Sequence, residues 1–237
     1  MSFSRYLNHQ GIDIARGLIV GTSSINKFGF TGADVASNTV ETVWDGNGTT
    51  PVYPYPADAV ITIAGATNIA DDGEIVVVEG LDANYVEQSE QIAVGGTGTL
   101  TFHRVFRAYM ETTSNSQNIN LSMGLTLAAV IKEGLAQTEM ALYTIPAGKC
   151  GYLMNIHGST TKATGNPACQ FRIKVLDYQD GGVFRIKGQF GTAGGQSFMH
   201  EYPVPLKLEP KSDIRIDVIA DAATGAGAIF DIILVDL

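Results

Sequence analysis

Apolar and polar residues alternate over short runs along most of this chain, and glycine, proline, aspartate and asparagine punctuate the runs. Period-two alternation over four to eight residues is the mark of a half-buried strand. Strands are expected at 39–44, 59–63, 74–78, 85–94 and 100–111. Asp45-Gly46-Asn47-Gly48, Asp71-Asp72-Gly73 and Gly95-Gly96 separate them, using residues that tolerate positive φ or cap a bend. Tyr53-Pro54-Tyr55-Pro56 gives an extended entry to the second run, because proline fixes φ and offers no ladder N–H. In the last run Phe102, Arg104, Phe106, Ala108 and Met110 share one face, and His103, Val105, Arg107 and Tyr109 the other.

Beyond a polar loop at 112–118 lies one more short strand, 119–123, followed by an apolar stretch at 125–135 that reads equally as a short helix or a strand. A second series then runs through 140–145, 150–158, 168–178, 183–190, 197–202, 206–208, 214–220 and 229–235. Phe171, Ile173 and Val175 against Arg172, Lys174 and Leu176, and Ile214, Ile216 and Val218 against Arg215 and Asp217, give each strand one core face and one wet face. Such a series suits a jelly roll or related sandwich of two packed sheets. Before residue 38, Gly11, Gly17, Gly21, Gly29 and Gly32 interrupt every apolar stretch, which reads as an extended arm that either drapes over its own domain or, the favoured reading, orders on a neighbouring subunit. The expected fold is all-β: two β-sandwich (jelly-roll-like) domains with an extended N-terminal arm. The expected divisions are an arm at 1–38, a first sandwich at 39–124, a linker at 125–138 and a jelly-roll-like sandwich at 139–237.

Charge narrows the partners. Over 237 residues, 15 Lys and Arg stand against 24 Asp and Glu, a net −9. Nucleic acid is not an expected partner, since phosphate binding needs clustered cations. Charged residues make up 16% of the chain, against about 25% in an average soluble domain, so surface is available for burial against other protein. The apolar runs at 125–131 and 226–237 fall short of the roughly 20 residues that span a bilayer, and Asp231 and Asp236 break the second. The start, Met1 to Tyr6, leads into Asn8, His9, Gln10 and Asp13 without an apolar h-region. Neither a membrane partner nor a secretory signal is expected. Cys150 and Cys169 fall on what reads as one hairpin, out of register with each other, and are expected as free thiols.

Candidate chemistry is sparse. His9, His103, His157 and His200 have no metal-ligand spacing. Asp45-Gly46-Asn47-Gly48 and Asp71-Asp72-Gly73 resemble fragments of calcium loops but lack the later bidentate Glu, so turn chemistry accounts for them. Gly191-Thr192-Ala193-Gly194-Gly195 lacks the Lys of a phosphate loop, and no Gly-x-Ser-x-Gly elbow opens a helix. No catalytic residue, cofactor or metal site is expected, and the chain is read as no enzyme. Aromatic residues are the other set: Trp44, Tyr53 and Tyr55, with Tyr85 and Tyr109, lie near turns. On a rim, Trp44, Tyr53 and Tyr55 would bind a glycan or a protein partner; in a core they would plug the end of a small sandwich.

The segments 38–45 (Asn-Thr-Val-Glu-Thr-Val-Trp-Asp), Tyr53-Pro-Tyr-Pro56, 78–85 (Val-Glu-Gly-Leu-Asp-Ala-Asn-Tyr), 104–109 (Arg-Val-Phe-Arg-Ala-Tyr) and 143–149 (Tyr-Thr-Ile-Pro-Ala-Gly-Lys) resemble a family of virion structural proteins of tailed bacteriophages, common in marine and cyanobacterial phages. The resemblance runs from about Ser24 to Tyr152; the rest is similar only in being strand-rich. It implies a non-enzymatic particle component, made in the host cytoplasm and assembled into the virion. The leading expectation is a capsid decoration or cement protein bridging major capsid subunits. The alternatives are a neck, collar or tail protein, and a carbohydrate-binding receptor module. Its partners would be other virion proteins and copies of itself, as a homo-oligomer for which a trimer is the guess.

Overall fold

The computed structural model describes residues 11–31, 33–46, 53–65, 71–161 and 165–237. Apart from a helical turn at 11–15 its regular structure is all strand. The strands are β1 (Thr22–Phe30), β2 (Val40–Thr42), β3 (Ala59–Ile63), β4 (Ile75–Leu81), β5 (Glu87–Ala93), β6 (Thr97–Phe102), β7 (Arg104–Met110), β8 (Ile119–Met123), β9 (Thr126–Ile131), β10 (Leu142–Thr144), β11 (Lys149–Thr160), β12 (Ala168–Asp177), β13 (Val183–Ala193), β14 (Ser197–Leu208), β15 (Asp213–Ala220) and β16 (Ala226–Asp236).

Among the described residues four sheets form, all with antiparallel strand pairing. Two are built from the ends of the chain, in the orders β1-β16-β11-β14 and β10-β15-β12-β13, with β2 also on β15. The other two use only its middle, in the orders β6-β3-β8-β9 and β5-β4-β7. In the first two sheets the partners are nested: β1 takes β16, β2 and β10 take β15, β11 takes β14, and β12 takes β13. The ends of the chain thus make one long antiparallel ribbon folded across two sheets.

The middle segment leaves that ribbon in mid-strand. Thr42 lies opposite Asp217 and Leu142 opposite Arg215, so β2 and β10 are two halves of one edge strand. Between them Val43 N–H donates to Ile216 O (2.9 Å), Ile216 N–H to Ala141 O (3.0 Å) and Ala141 N–H to Val43 O (2.9 Å). Trp44 bridges Met140, and Asp45 N–H donates to Glu139 O at 3.1 Å. The excursion therefore pairs its own backbone groups across the neck.

One connected core runs through both halves, from Ile61, Val76, Val78, Phe102 and Leu121 to Phe171, Ile173, Ile216 and Phe230. The inward faces expected at 171, 173 and 175 and at 214, 216 and 218 are buried. Pro203 and Pro205 sit inside β14, where the pairing with β11 jumps from Leu153↔Leu206 to Asn155↔Glu201. The bulge absorbs them because no ladder N–H is required there.

The pairing corrects four expectations. Residues 22–38 do not form an arm reaching a neighbour: β1 pairs with β16 from Thr22↔Val235 to Phe30↔Gly227, and Val35 bridges Thr224. Periodicity hid β1 because its inward positions hold Ile25, Lys27 and Gly29, two of which carry no apolar side chain. Residues 39–44 belong with β15 and not with the sandwich that follows them. The expected linker at 125–138 contains β9, whose pairing with β8 completes a sheet. Finally, 100–111 is two strands, which separate after Phe102 into different sheets. Met1 to Gln10, including His9, lie outside the described residues.

Candidate functional site

The most elaborate polar arrangement joins the excursion to the ribbon. Arg104 opens β7 on its buried face and Asp213 opens β15; their side chains are 1% and 0% exposed. Arg104 Nε donates to Asp213 Oδ1 at 3.0 Å and Nη2 to Oδ2 at 3.1 Å, a two-point fork. The remaining donors reach His103 O (3.0 Å) and Tyr178 Oη (2.9 Å). Thr144 Oγ1 donates to Asp213, and the Tyr53 hydroxyl bonds Thr144. Tyr53 and Tyr85 rings lie 5.5 and 5.6 Å from the guanidinium. Burial opposes the charge on Arg104, but the Asp213 hydrogen bonds and nearby oxygens outweigh it and hold the guanidinium's pKa above its usual value. Every member has a partner, so the arrangement acts as a structural latch.

Two further ionisable groups are buried at this junction. Lys27 of β1 donates to the Phe106 carbonyl of β7, and burial, with Arg107 nearby, lowers its pKa to about 7. Asp45, 1% exposed at the neck, takes the Glu139 N–H at 2.6 Å. Burial raises its pKa to about 8.

The aromatic residues expected as exposed contacts are instead core: Trp44 is 2%, Tyr53 3% and Tyr55 7% exposed. This corrects the glycan or partner assignment. Tyr55 Oη donates to Val105 O and Ala128 O at 3.1 and 3.0 Å, so its one polar atom is consumed internally. Tyr53 and Tyr55 meet edge to face at 5.4 Å, plugging the junction. Cys150 and Cys169 are buried free thiols, and their strands, β11 and β12, belong to different sheets and not to one hairpin. Among the described residues no three His, Cys, Asp or Glu gather as metal ligands. Asp71 accepts the Ser116 N–H with both oxygens. Asn47 and Gly48 lie outside the described residues.

β13 and β14 are edge strands of different sheets, and exposed apolar side chains stand along both. Val183, Ile186, Met199 and Val204 are 62, 50, 59 and 82% exposed. Behind them Phe190 stacks on Phe198 at 5.2 Å, and His200 sits 4.7 Å from both Phe190 and Tyr202. Rings thus pack between the two strands, while exposed apolar side chains stand along each of these sheet edges. Such edges invite another chain.

No protein-family model and no curated protein matches the chain, so the tailed-phage likeness rests on the quoted segments alone. Solved structures with a distant likeness include particles of infectious bursal disease virus. The T13 viral particle is 10% identical and covers 98% of this chain and 80% of that chain, with a TM-score of 0.23. The Gx strain is 8% identical over 90% and 71%, with a TM-score of 0.25. The T=1 particle is 12% identical over 91% and 74%, with a TM-score of 0.21.

Sequence reasoning passed over Asp213, Thr144 and Tyr143. One signal for the latch was present: Arg104 shares a face with Phe102, Phe106, Ala108 and Met110, and a cation on an apolar face needs a buried anion. Nothing in the spacing pointed to Asp213, which is 109 residues away. Among the described residues no helix is long and apolar enough to cross a membrane.

Proposed function

We propose that the chain is a structural subunit of a virus particle. The observation that carries this reading is the nested strand pairing, which we read as an eight-stranded jelly roll. One of its edge strands is opened to admit a second, smaller sandwich. Jelly rolls also build lectins and other binding proteins, so fold alone does not choose. The exposed β13 and β14 edges favour subunit contacts. The buried state of Trp44, Tyr53 and Tyr55 removes the support for a sugar-binding module. A non-enzymatic role belongs to the proposal, since Arg104, Asp213, Lys27 and Asp45 are engaged in hydrogen bonds within the fold.

Within the particle, our reading is a decoration or cement protein of the head. It bridges major capsid subunits through the β13 and β14 edges and is assembled in the host cytoplasm as a homo-oligomer, a trimer by preference. A neck, collar or tail position is the second reading, supported by the same edges. Purified protein should bind preformed capsid shells, and particles lacking it should lose heat resistance. Normal, heat-stable heads without it, together with antibody labelling at the neck or tail, would move the assignment to the second reading; absence from purified particles would end both.

A further inference from the structure

A cleft of about 390 Å³ is lined by residues of β1, β4, β5, β7 and β10. Its apolar lining includes Ile25, Phe106 and the Tyr143 ring, and its polar lining includes Glu79 and Glu87. Tyr143 is 0% exposed, and its hydroxyl has no hydrogen-bond partner in the protein. Leaving a buried hydroxyl unpaired costs about 1–3 kcal/mol, so the atom marks a position where a ligand completes the bond. The hydroxyl lies in the field of both carboxylates: after burial itself, Glu87 and Glu79 are what raise its pKa.

The cations already near these carboxylates hold them loosely. Arg107 Nη1 is 3.4 Å from Glu79, and Lys149 Nζ is 3.9 Å from Glu87. All four side chains are partly exposed, so each pair contributes little and leaves acceptor capacity free. Lys27, also facing Glu79, spends a donor on the Phe106 carbonyl and is largely neutral above its pKa of about 7.

From this geometry we infer that the cleft is a binding site for an alkylammonium group, with the ammonium donating to Glu79, Glu87 and Tyr143 Oη and the methylene stem lying against Ile25 and Phe106. Three acceptors match the three donors of an ammonium. A calcium ion takes six to eight oxygens, more than Glu79, Glu87 and Tyr143 Oη supply beside Ile25 and Phe106. The shared chemistry is that of a lysine side chain presented by another protein chain or of a free amine. It does not depend on the virion reading.

The test is a titration of the ¹⁵N-labelled protein at pH 8, following the Gly80 and Ser89 amides, with n-butylammonium, Nα-acetyl-lysine methylamide, 1-butanol and calcium chloride. Both ammonium probes should shift these amides saturably, and 1-butanol and calcium should not. Tighter binding of the lysine amide assigns the site to a protein lysine, and tighter binding of butylammonium to a free amine. Glu87→Gln should weaken binding roughly tenfold and Tyr143→Phe about fivefold. Tyr143→Phe should raise the thermal stability of the unliganded protein, because it removes a buried hydroxyl that has no partner among the described residues. Equal shifts with 1-butanol, saturable binding of calcium, unchanged affinity in both variants, or no saturable shift with either ammonium would overturn the inference.

Discussion

Arg104→Met gives the sharpest test of how the excursion is held to the ribbon. The substitution removes two hydrogen bonds to Asp213, one to His103 O and one to Tyr178. It leaves the Asp213 carboxylate, 0% exposed, with Thr144 as its remaining side-chain donor. Removing one partner of a buried pair costs about 3–5 kcal/mol, because the other charge stays desolvated. For a chain of this size that is a fall in Tm of roughly 6–20 °C. Asp213→Leu should cost a similar amount for the mirror reason. In Arg104→Met/Asp213→Leu no unpaired charge remains, Thr144 keeps its bond to Tyr53, and Tyr178, 48% exposed, turns to water. The double variant should then cost only about 1–2 kcal/mol, giving a coupling of more than about 4 kcal/mol between the sites. Urea unfolding followed by fluorescence is suitable, since Trp44 is the single tryptophan and is buried at the neck. Additive single variants, or a loss below about 1 kcal/mol in Arg104→Met, would refute the view that this pair is a desolvated latch.

Stability against pH should show a trough. Asp45 is raised to about 8, so its contribution is full below pH 4 and lost as pH rises towards 8. Lys27 is lowered to about 7, so its contribution is lost as pH falls through 7 and regained between pH 7 and the usual lysine range. The two together place the minimum near pH 7–8; urea midpoints should lose the acid-side slope in Asp45→Asn and the alkaline-side rise in Lys27→Met. Gly29→Ala would set a Cβ 2.4 Å from both Ala141 N and Val43 O, backbone atoms of the neck. It should destabilise by about 1–3 kcal/mol, and a calorimetric Tm unchanged from the parent would show that the neck gives way freely. Ile186→Lys with Met199→Lys should reduce self-association in sedimentation without lowering the Tm, because both side chains are more than half or half exposed; an unchanged sedimentation profile would remove these edges from the contact surface.

Alternation alone located most strands. Ile61 and Ile63, and Phe171, Ile173 and Val175, fall where the pattern puts them, because a sheet with one dry face forces period two on its sequence. The turn residues marked most boundaries for an equally local reason. Three things were beyond local reasoning. β1 escaped because Lys27 and Gly29 stand at inward positions, one reaching the Phe106 carbonyl and the other making room for the neck. The aromatic residues beside turns could be rim or core, and only the packing of Arg104, Asp213 and Thr144 around Tyr53 decided for the core. The order of strands in the sheets was open as well, since hydrogen-bond partners as distant as Thr22 and Val235 leave no trace in short-range spacing. The sequence by itself determined an acidic, glycine-punctuated all-β chain with its alternating faces. Only the tertiary structure decided that its two ends close on each other and that its middle is an excursion from a single strand, because ladder pairing and the burial of opposite charges are settled between residues more than a hundred positions apart.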